Sequence, residues 1–325
     1  MTAEAVHIRP MNENDLEESD KIMRLAFGTF LGLPEPIKFM GDADYVRTRY
    51  KADPSAALIA TTHDGKIVGS NFALDWGSVG IFGPLTVHPN YWDKGVARKL
   101  LAETMKIFQR WESKHLGLFT FAQSSKHVHL YQKFDFWPRY LTAVMSKSVS
   151  EKKQEEQLDT KKPNFRTYSE LSQAEKPIVV RECKSLTNDI YTGLDLRKEI
   201  TSVDQQKIGD TILLRGHNEE LVGFAVCHIG AGSEAGSGNC YAKFGAVRRG
   251  DNSPHLFNEL LDAFDDYASW QGLSRIVAGV NTARHGAYKI MIERGFRTDM
   301  QGVAMHRPNE PGYNLPDNYL IDDWR

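Results

Sequence analysis

From Val87 to Arg98 the chain reads Val-His-Pro-Asn-Tyr-Trp-Asp-Lys-Gly-Val-Ala-Arg: an apolar strand end, a short polar loop and the start of an amphipathic helix. Residue types in this order can hold an anion. The first turn of a helix carries backbone N–H groups with no intrahelical acceptor, together with the positive end of the helix dipole, so a phosphate is stabilised there. Gly95 lets a diphosphate approach the backbone with no side chain between, and Ala97 keeps the second close position small. The elements that must hold this turn are legible on both sides. Val79-Gly-Ile-Phe-Gly-Pro-Leu-Thr-Val87 reads as a strand with a kink or bulge at Gly83-Pro84, because proline cannot sit inside a regular ladder and glycine permits unusual dihedrals. Ala97, Leu100, Leu101, Phe108 and Trp111 form the apolar stripe of a core-facing helix predicted over 95–112.

This strand-loop-helix resembles the acetyl-CoA signature of the GNAT acyltransferase superfamily, in which Gln or Arg, two variable residues, Gly, one variable residue and Gly or Ala follow a Val-x-Pro strand end. Val87, Pro89, Gly95 and Ala97 agree with it, and Trp92 stands where the family has Gln or Arg. The resemblance implies acetyl-CoA as cosubstrate and no metal. It places the coenzyme on Leu85, Thr86, Val87, Trp92, Asp93, Lys94, Gly95, Val96, Ala97 and Arg98, with mainly the backbone N–H serving at position 92. It also implies direct attack of an amine on the thioester in a ternary complex. A backbone N–H on strand 85–87 would meet the developing oxyanion, and the kink would open a slot for the pantetheine arm.

The same resemblance assigns Tyr131, in the segment Leu-Tyr-x-Lys-x-x-Phe, as the acid that protonates the departing thiolate. A tyrosine with a pKa of ~10 stays protonated at neutral pH and can donate. Read without the family, Tyr131 is an amphipathic core residue. Asp135 occupies the family's usual glycine after this helix, and Asp tolerates a left-handed conformation moderately well. The attacking amine must be neutral, which at pH 7 is a handicap of about 4.6 kcal/mol for a lysine-like pKa of ~10.4. No base is assigned: Asp75 reads as a turn residue beside Trp76-Gly77, His88 as an exposed loop residue, and a bound water is the alternative.

The chain repeats itself at an offset near half its length. Residues 59–69 align with 213–223, with His63 over His217 and Val68-Gly69 over Val222-Gly223, and both read as hairpins. Leu100-Leu101 aligns with Leu260-Leu261, and 130–136 with 290–296. The reading is a tandem α/β protein: a GNAT-like domain at 1–147, a charged linker at 148–164, a second GNAT-like domain at 165–307 and a tail at 308–325. Each domain is expected to be a mostly antiparallel mixed sheet flanked by helices. In the first, strands are predicted near 7–9, 57–62, 66–74, 78–87, 116–122 and 140–147, with helices at 14–27, 95–112 and 125–133. The tail carries Tyr313, Tyr319 and Trp324, aromatics that suit a docked segment.

The copies differ where chemistry is expected. The register places His255 over Gly95, Phe257 over Ala97 and Met291 over Tyr131, so the second copy reads as a degenerate domain that does not bind CoA. Tyr288 takes the tyrosine's place only in another register. Ser253-Pro254 reads as a helix start with serine as N-cap. Gly230-Ala-Gly-Ser-Glu-Ala235 satisfies a dinucleotide fingerprint, but a strand pattern follows it, so it reads as a flexible hairpin loop. His127 and His129 lie on different helix faces, which does not suit a metal site. Phe27, Phe30, Phe39 and Tyr45 fit either a substrate pocket or the core.

With 325 residues, 41% hydrophobic and a net charge of −2, the chain can bury a sizeable core and has no global attraction for nucleic acid or an anionic membrane. Cys183, Cys227 and Cys240 make no paired motif and suit core positions in a reducing cytoplasm. The function expected is acetyl transfer to a small-molecule or peptide amine, with no nucleic acid or membrane partner. The alternative is a catalytically inactive acyl-CoA-binding or regulatory module.

Overall fold

Ala57–Thr61 and Ile67–Trp76 are buried on both faces, and they pair as antiparallel strands β2 and β3. Alternation sends Leu58 and Ala60 toward one helix layer and Ala57, Ile59 and the paired Phe72 toward the other, and the register shift at Ala60/Thr61 turns Val68 to the first. This is a computed structural model that describes residues 6–149 and 165–325; most of the charged linker read from the sequence, 150–164, lies outside them.

The first half runs β1 (His7–Pro10), α1 (Leu16–Phe30), α2 (Val46–Ala52), β2, β3, β4 (Val79–Phe82), β5 (Thr86–Val87), α3 (Val96–Arg110), β6 (His115–Thr120), α4 (Ser125–Gln132) and β7 (Trp137–Ser148). The second half follows a similar order: β8 (Arg166–Thr167), α5 (Lys176–Ile190), α6 (Arg197–Gln206), β9 (Gly209–Arg215), β10 (Leu221–Gly230), β11 (Gly236–Val247), α7 (Ser253–Trp270), β12 (Arg275–Asn281), α8 (His285–Glu293) and β13 (Arg297–Arg307). A short β14 (Leu320–Ile321) lies in the tail. The fold is mixed α/β, with a mostly antiparallel sheet flanked by helices.

All strands join one 14-stranded sheet, ordered β1-β2-β3-β4-β6-β13-β7-β12-β11-β10-β9-β8, with β5 on β3 and β14 on β11. The order departs from chain order at its centre. The last strand of the second half, β13, pairs with β6 through Val303↔Thr120 to Arg307↔Leu116, while β7, the last strand of the first half, pairs with β12 through Thr142↔Asn281 to Ser148↔Arg275. The two halves therefore exchange their final strands, and these pair with each other antiparallel. A shared core reinforces the seam: Leu74, Trp76, Val79 and Ile81 pack with Leu196, Ile200, Phe224 and Phe244.

Helix α3 packs through Val96, Leu100, Leu101, Ile107 and Phe108, all buried. It approaches the sheet so closely that a Cβ at Gly80 would sit 2.7 Å from the Phe108 ring. Its partner in the second half, α7, does not start as the sequence implied. Ser253 does not cap by accepting a backbone N–H; its hydroxyl instead donates to the carbonyls of Arg248 (2.9 Å) and Gly250 (2.7 Å).

Candidate active site

Gly83-Pro84 divides the expected strand in two. Val79–Ile81 of β4 pair in parallel with His115–Gly117 of β6, and beyond this point β5 pairs only with β3. Gly83 has φ +147°, and proline offers no N–H, so the ladder cannot continue through them. The parallel strands part, and β6 continues to Thr120 with β13 on its far side.

The orientation of β5 follows from its hydrogen bonds. The His88 N–H donates to Val68 O (2.9 Å), and Thr86 lies opposite Ser70, so the N–H groups of Leu85 and Val87 point away from β3. They face the gap toward β6, and no acceptor among the described residues meets them at hydrogen-bond geometry. Tyr131 stands in this gap. Its ring meets Phe82, the last residue of β4, at 5.8 Å edge-on, and the Thr120 side chain at the end of β6 lies at its hydroxyl. Burial pushes the Tyr131 phenol well above its ordinary pKa, so it is protonated at neutral pH.

At the start of α3, Gly95 adopts φ +78°, a backbone conformation that favours glycine, and a Cβ placed there would meet nothing within 4 Å. The N–H groups of residues 93–98 find no acceptor among the described residues, whereas that of Lys99 donates to Gly95 O (3.2 Å). Trp92 behaves differently from its neighbours: its backbone N–H is taken by Pro89 O (3.1 Å), and its indole Nε1 donates to Val87 O (2.7 Å). The side chain thus folds back over the strand end and leaves the amides of Asp93, Lys94, Gly95, Val96, Ala97 and Arg98 without an acceptor among the described residues. Lys126 of α4 pairs with Asp93 at 2.6 Å across the same loop.

The remaining candidates separate by location. Asp75 accepts from the Gly77 N–H (2.9 Å) and pairs with Lys198 (3.0 Å), at the end of β3–β4 opposite the gap. His88 accepts from the Asn90 N–H (3.2 Å) and closes a short turn. Asp135 adopts φ +62° just past α4, as Gly295 does at +88° past α8. Phe27, Phe30 and Phe39 gather with two residues that the sequence reading passed over for this role: Phe121, one residue past Thr120, and His127 on α4. Phe30 lies 5.1 Å from Phe121 and 5.0 Å from His127. Burial, aided by Lys126, lowers the His127 pKa. Tyr45 is not part of this wall; it stacks under Arg49 at 5.1 Å.

In the second half β11 and β12 also pair in parallel, from Asn239↔Arg275 to Ala242↔Ala278. Where they part, the tail enters. Ile321 and Leu320 pair with Gly245 and Ala246, the Asp323 side chain lies against Gly279, and Asp322 pairs with Arg284 at 2.9 Å. Phe257 meets the tail residue Tyr319 at 5.8 Å. The tail then crosses to the first half, where the Trp324 ring lies against Gly117 of β6 and its Nε1 donates to the Tyr313 hydroxyl at 2.6 Å. The three cysteines are buried and free.

This parted strand pair beside a helix N-terminus belongs to a fold that known acetyltransferases share. Residues 24–136 match the sequence model described as the Acetyltransferase (GNAT) family. The structure of a candidate acetyltransferase from Pyrococcus horikoshii is similar over 98% of this chain and 95% of its own, with TM-score 0.67 and 16% identity. A GCN5-related N-acetyltransferase from Sphaerobacter thermophilus is similar over 93% and 95%, with TM-score 0.58 and 13% identity. These likenesses show the fold over the whole chain. No curated protein matches the sequence. Among the described residues no helix is long and apolar enough to cross a membrane.

Proposed function

We propose that the first half binds acetyl-CoA and transfers its acetyl group to the amine of a small molecule or peptide. One observation carries this reading: the unpaired Leu85 and Val87 N–H groups face a gap that holds Tyr131 and lies beside the free amides of residues 93–98. The diphosphate sits on those amides and the N-terminal dipole of α3. The pantetheine arm runs along the open edge of β5, and the N–H of Leu85 or Val87 donates to the thioester oxygen as it becomes an oxyanion. The amine nitrogen attacks the carbonyl carbon, the carbon–sulfur bond breaks, and the Tyr131 hydroxyl gives its proton to the leaving thiolate. Water takes the proton from the amine, since Asp75 is engaged by Lys198 and Gly77. No metal takes part, and no nucleic acid or membrane is a partner.

The second half is read as a degenerate copy that holds no coenzyme, and the three free thiols support a cytoplasmic location. The competing reading, an inactive acyl-CoA-binding module, draws on the Trp92 indole seated on Val87 O, an acceptor that an incoming amide would otherwise use. Thiol release from acetyl-CoA with a panel of amines decides between them. Turnover with any amine supports the transferase, and tight binding with no turnover across the panel supports the module.

A further inference from the structure

The Gly230–Ala235 loop is neither a dinucleotide site nor a free hairpin. Gly230, Gly232 and Gly236 have φ of 71°, 75° and 71°, which lets the chain turn tightly between β10 and β11 and dock on the first half. There the Asp44 N–H donates to Ser233 O (2.8 Å), the Gly232 N–H to Asp42 O (3.0 Å) and the Ser237 N–H to an Asp42 carboxylate oxygen (2.8 Å). The loop thereby drives Glu234 into the seam, where its side chain is 0% exposed.

Glu234 accepts from Arg49 Nε (2.9 Å) and Nη2 (3.2 Å) and from Lys243 Nζ (2.7 Å). Burial alone would raise its pKa, but Arg49 and Lys243 hold it well below the ordinary carboxylate range. The Arg49 side chain is 2% exposed, and its Nη1 donates to Gly83 O at 2.5 Å, while Nη2 also meets the Arg325 carbonyl. A buried ion pair stabilises an interface no better than apolar packing of similar volume, so its geometry is the informative feature. That geometry ends on the carbonyl where β4 gives way to β5, two residues before Leu85.

We propose that Glu234 is a positioning residue for the acetyl-transfer site in the other half of the chain. By fixing the Arg49 guanidinium it fixes the Gly83 carbonyl, and with it the line of Leu85 and Val87 along the open gap. The inference rests on the acetyl-CoA reading, and the diphosphate loop lies outside its reach. The brace should therefore govern the pantetheine and thioester part of the ligand and leave the nucleotide part alone.

Calorimetry with two probes, acetyl-CoA and 3′-phospho-ADP, tests this on the full chain. Glu234→Gln removes the charge at constant size, and Arg49→Lys keeps a cation for Glu234 but loses the fork that reaches Gly83. Each should weaken acetyl-CoA by about tenfold or more, since small misplacements in such sites are costly, and leave 3′-phospho-ADP within about twofold. Lys198→Ala, which breaks two other ion pairs across the seam, to Asp53 and Asp75, should change neither. Equal weakening of both probes would mean a general structural role, and acetyl-CoA affinity within about twofold of wild type in both variants would mean no role; either overturns the brace. If the wild type binds 3′-phospho-ADP but gains nothing from the acetyl-pantetheine arm, the coenzyme reading fails first and the brace falls with it.

Discussion

The two halves open their sheets at equivalent places and fill the openings differently. In the first, β4 and β6 part after Ile81 and Gly117, and the Tyr131 ring and the Trp92 indole stand at the gap. In the second, β11 and β12 part after Ala242 and Ala278, and the chain's own tail is paired into the space. An opened strand pair is thus a structural resource that can be left as a free edge or used as a dock for a peptide segment. The residues beside the openings differ accordingly, with Ala97 in one half and Phe257 packed on the tail residue Tyr319 in the other.

The contrast is broken most decisively at the diphosphate turn. Gly95→Trp should abolish acetyl-CoA binding in calorimetry while thermal unfolding remains cooperative, because the bulk fills open space beside free amides. Wild type should bind one acetyl-CoA per chain, and a stoichiometry of two would erase the distinction between the halves. Next in size, Tyr131→Phe should lower kcat by about 10²- to 10⁴-fold with acetyl-CoA affinity nearly unchanged. Met291→Tyr, its counterpart in the second half, should create no activity. Unaltered turnover in Tyr131→Phe would return that residue to a packing role.

The tail is the third lever. Trp324 is 5% exposed and packs on Gly117, so Trp324→Ala should cost about 3–5 kcal/mol in denaturant unfolding. The last lever is pH. Burial lowers the pKa of His115 to about 4 and of His228 and His306 to about 3, and His115 Nε2 lies 2.8 Å from His306 Nδ1 beneath the tail. Unfolded histidines titrate near 6.5, so below that pH the unfolded chain binds protons that the native state refuses. Stability should be complete above pH ~6.5 and decline toward pH 4, by up to about 1.4 kcal/mol per pH unit for each histidine. His115→Asn with His306→Asn should flatten that slope, measured by denaturation from pH 7 to 5; an unchanged slope would place the titration elsewhere.

Local pattern carried much of the architecture into the sequence. The apolar stripe of α3, the hairpin pairs and the break at Gly83-Pro84 depend on neighbours a few residues away, and they lie close to where periodicity puts them. The GNAT signature likewise lies within one strand-loop-helix. The exchanged strands were not legible, because β7 and β13 carry similar short apolar runs, at 143–145 and 303–305, among polar residues, and nothing in their composition says which neighbour each will take. The Glu234–Arg49 pair spans 185 residues with no periodic signal. The two-residue strand β14 lies in a stretch rich in Pro, Asn and Asp, where turn chemistry dominates any strand pattern.

The crossing of β13 into the first half also sets a timetable for the ribosome. Thr120 is translated long before its partner Val303, so β6 waits roughly ten to forty seconds, at about 5–20 residues per second, for the strand that covers it. During that interval the nascent chain shows an apolar sheet edge to its surroundings, a period in which a holdase chaperone has something to grip. The first half's sheet is therefore completed only once β13 has been made, and a ribosome stalled between the two halves would release a fragment with an unfinished sheet.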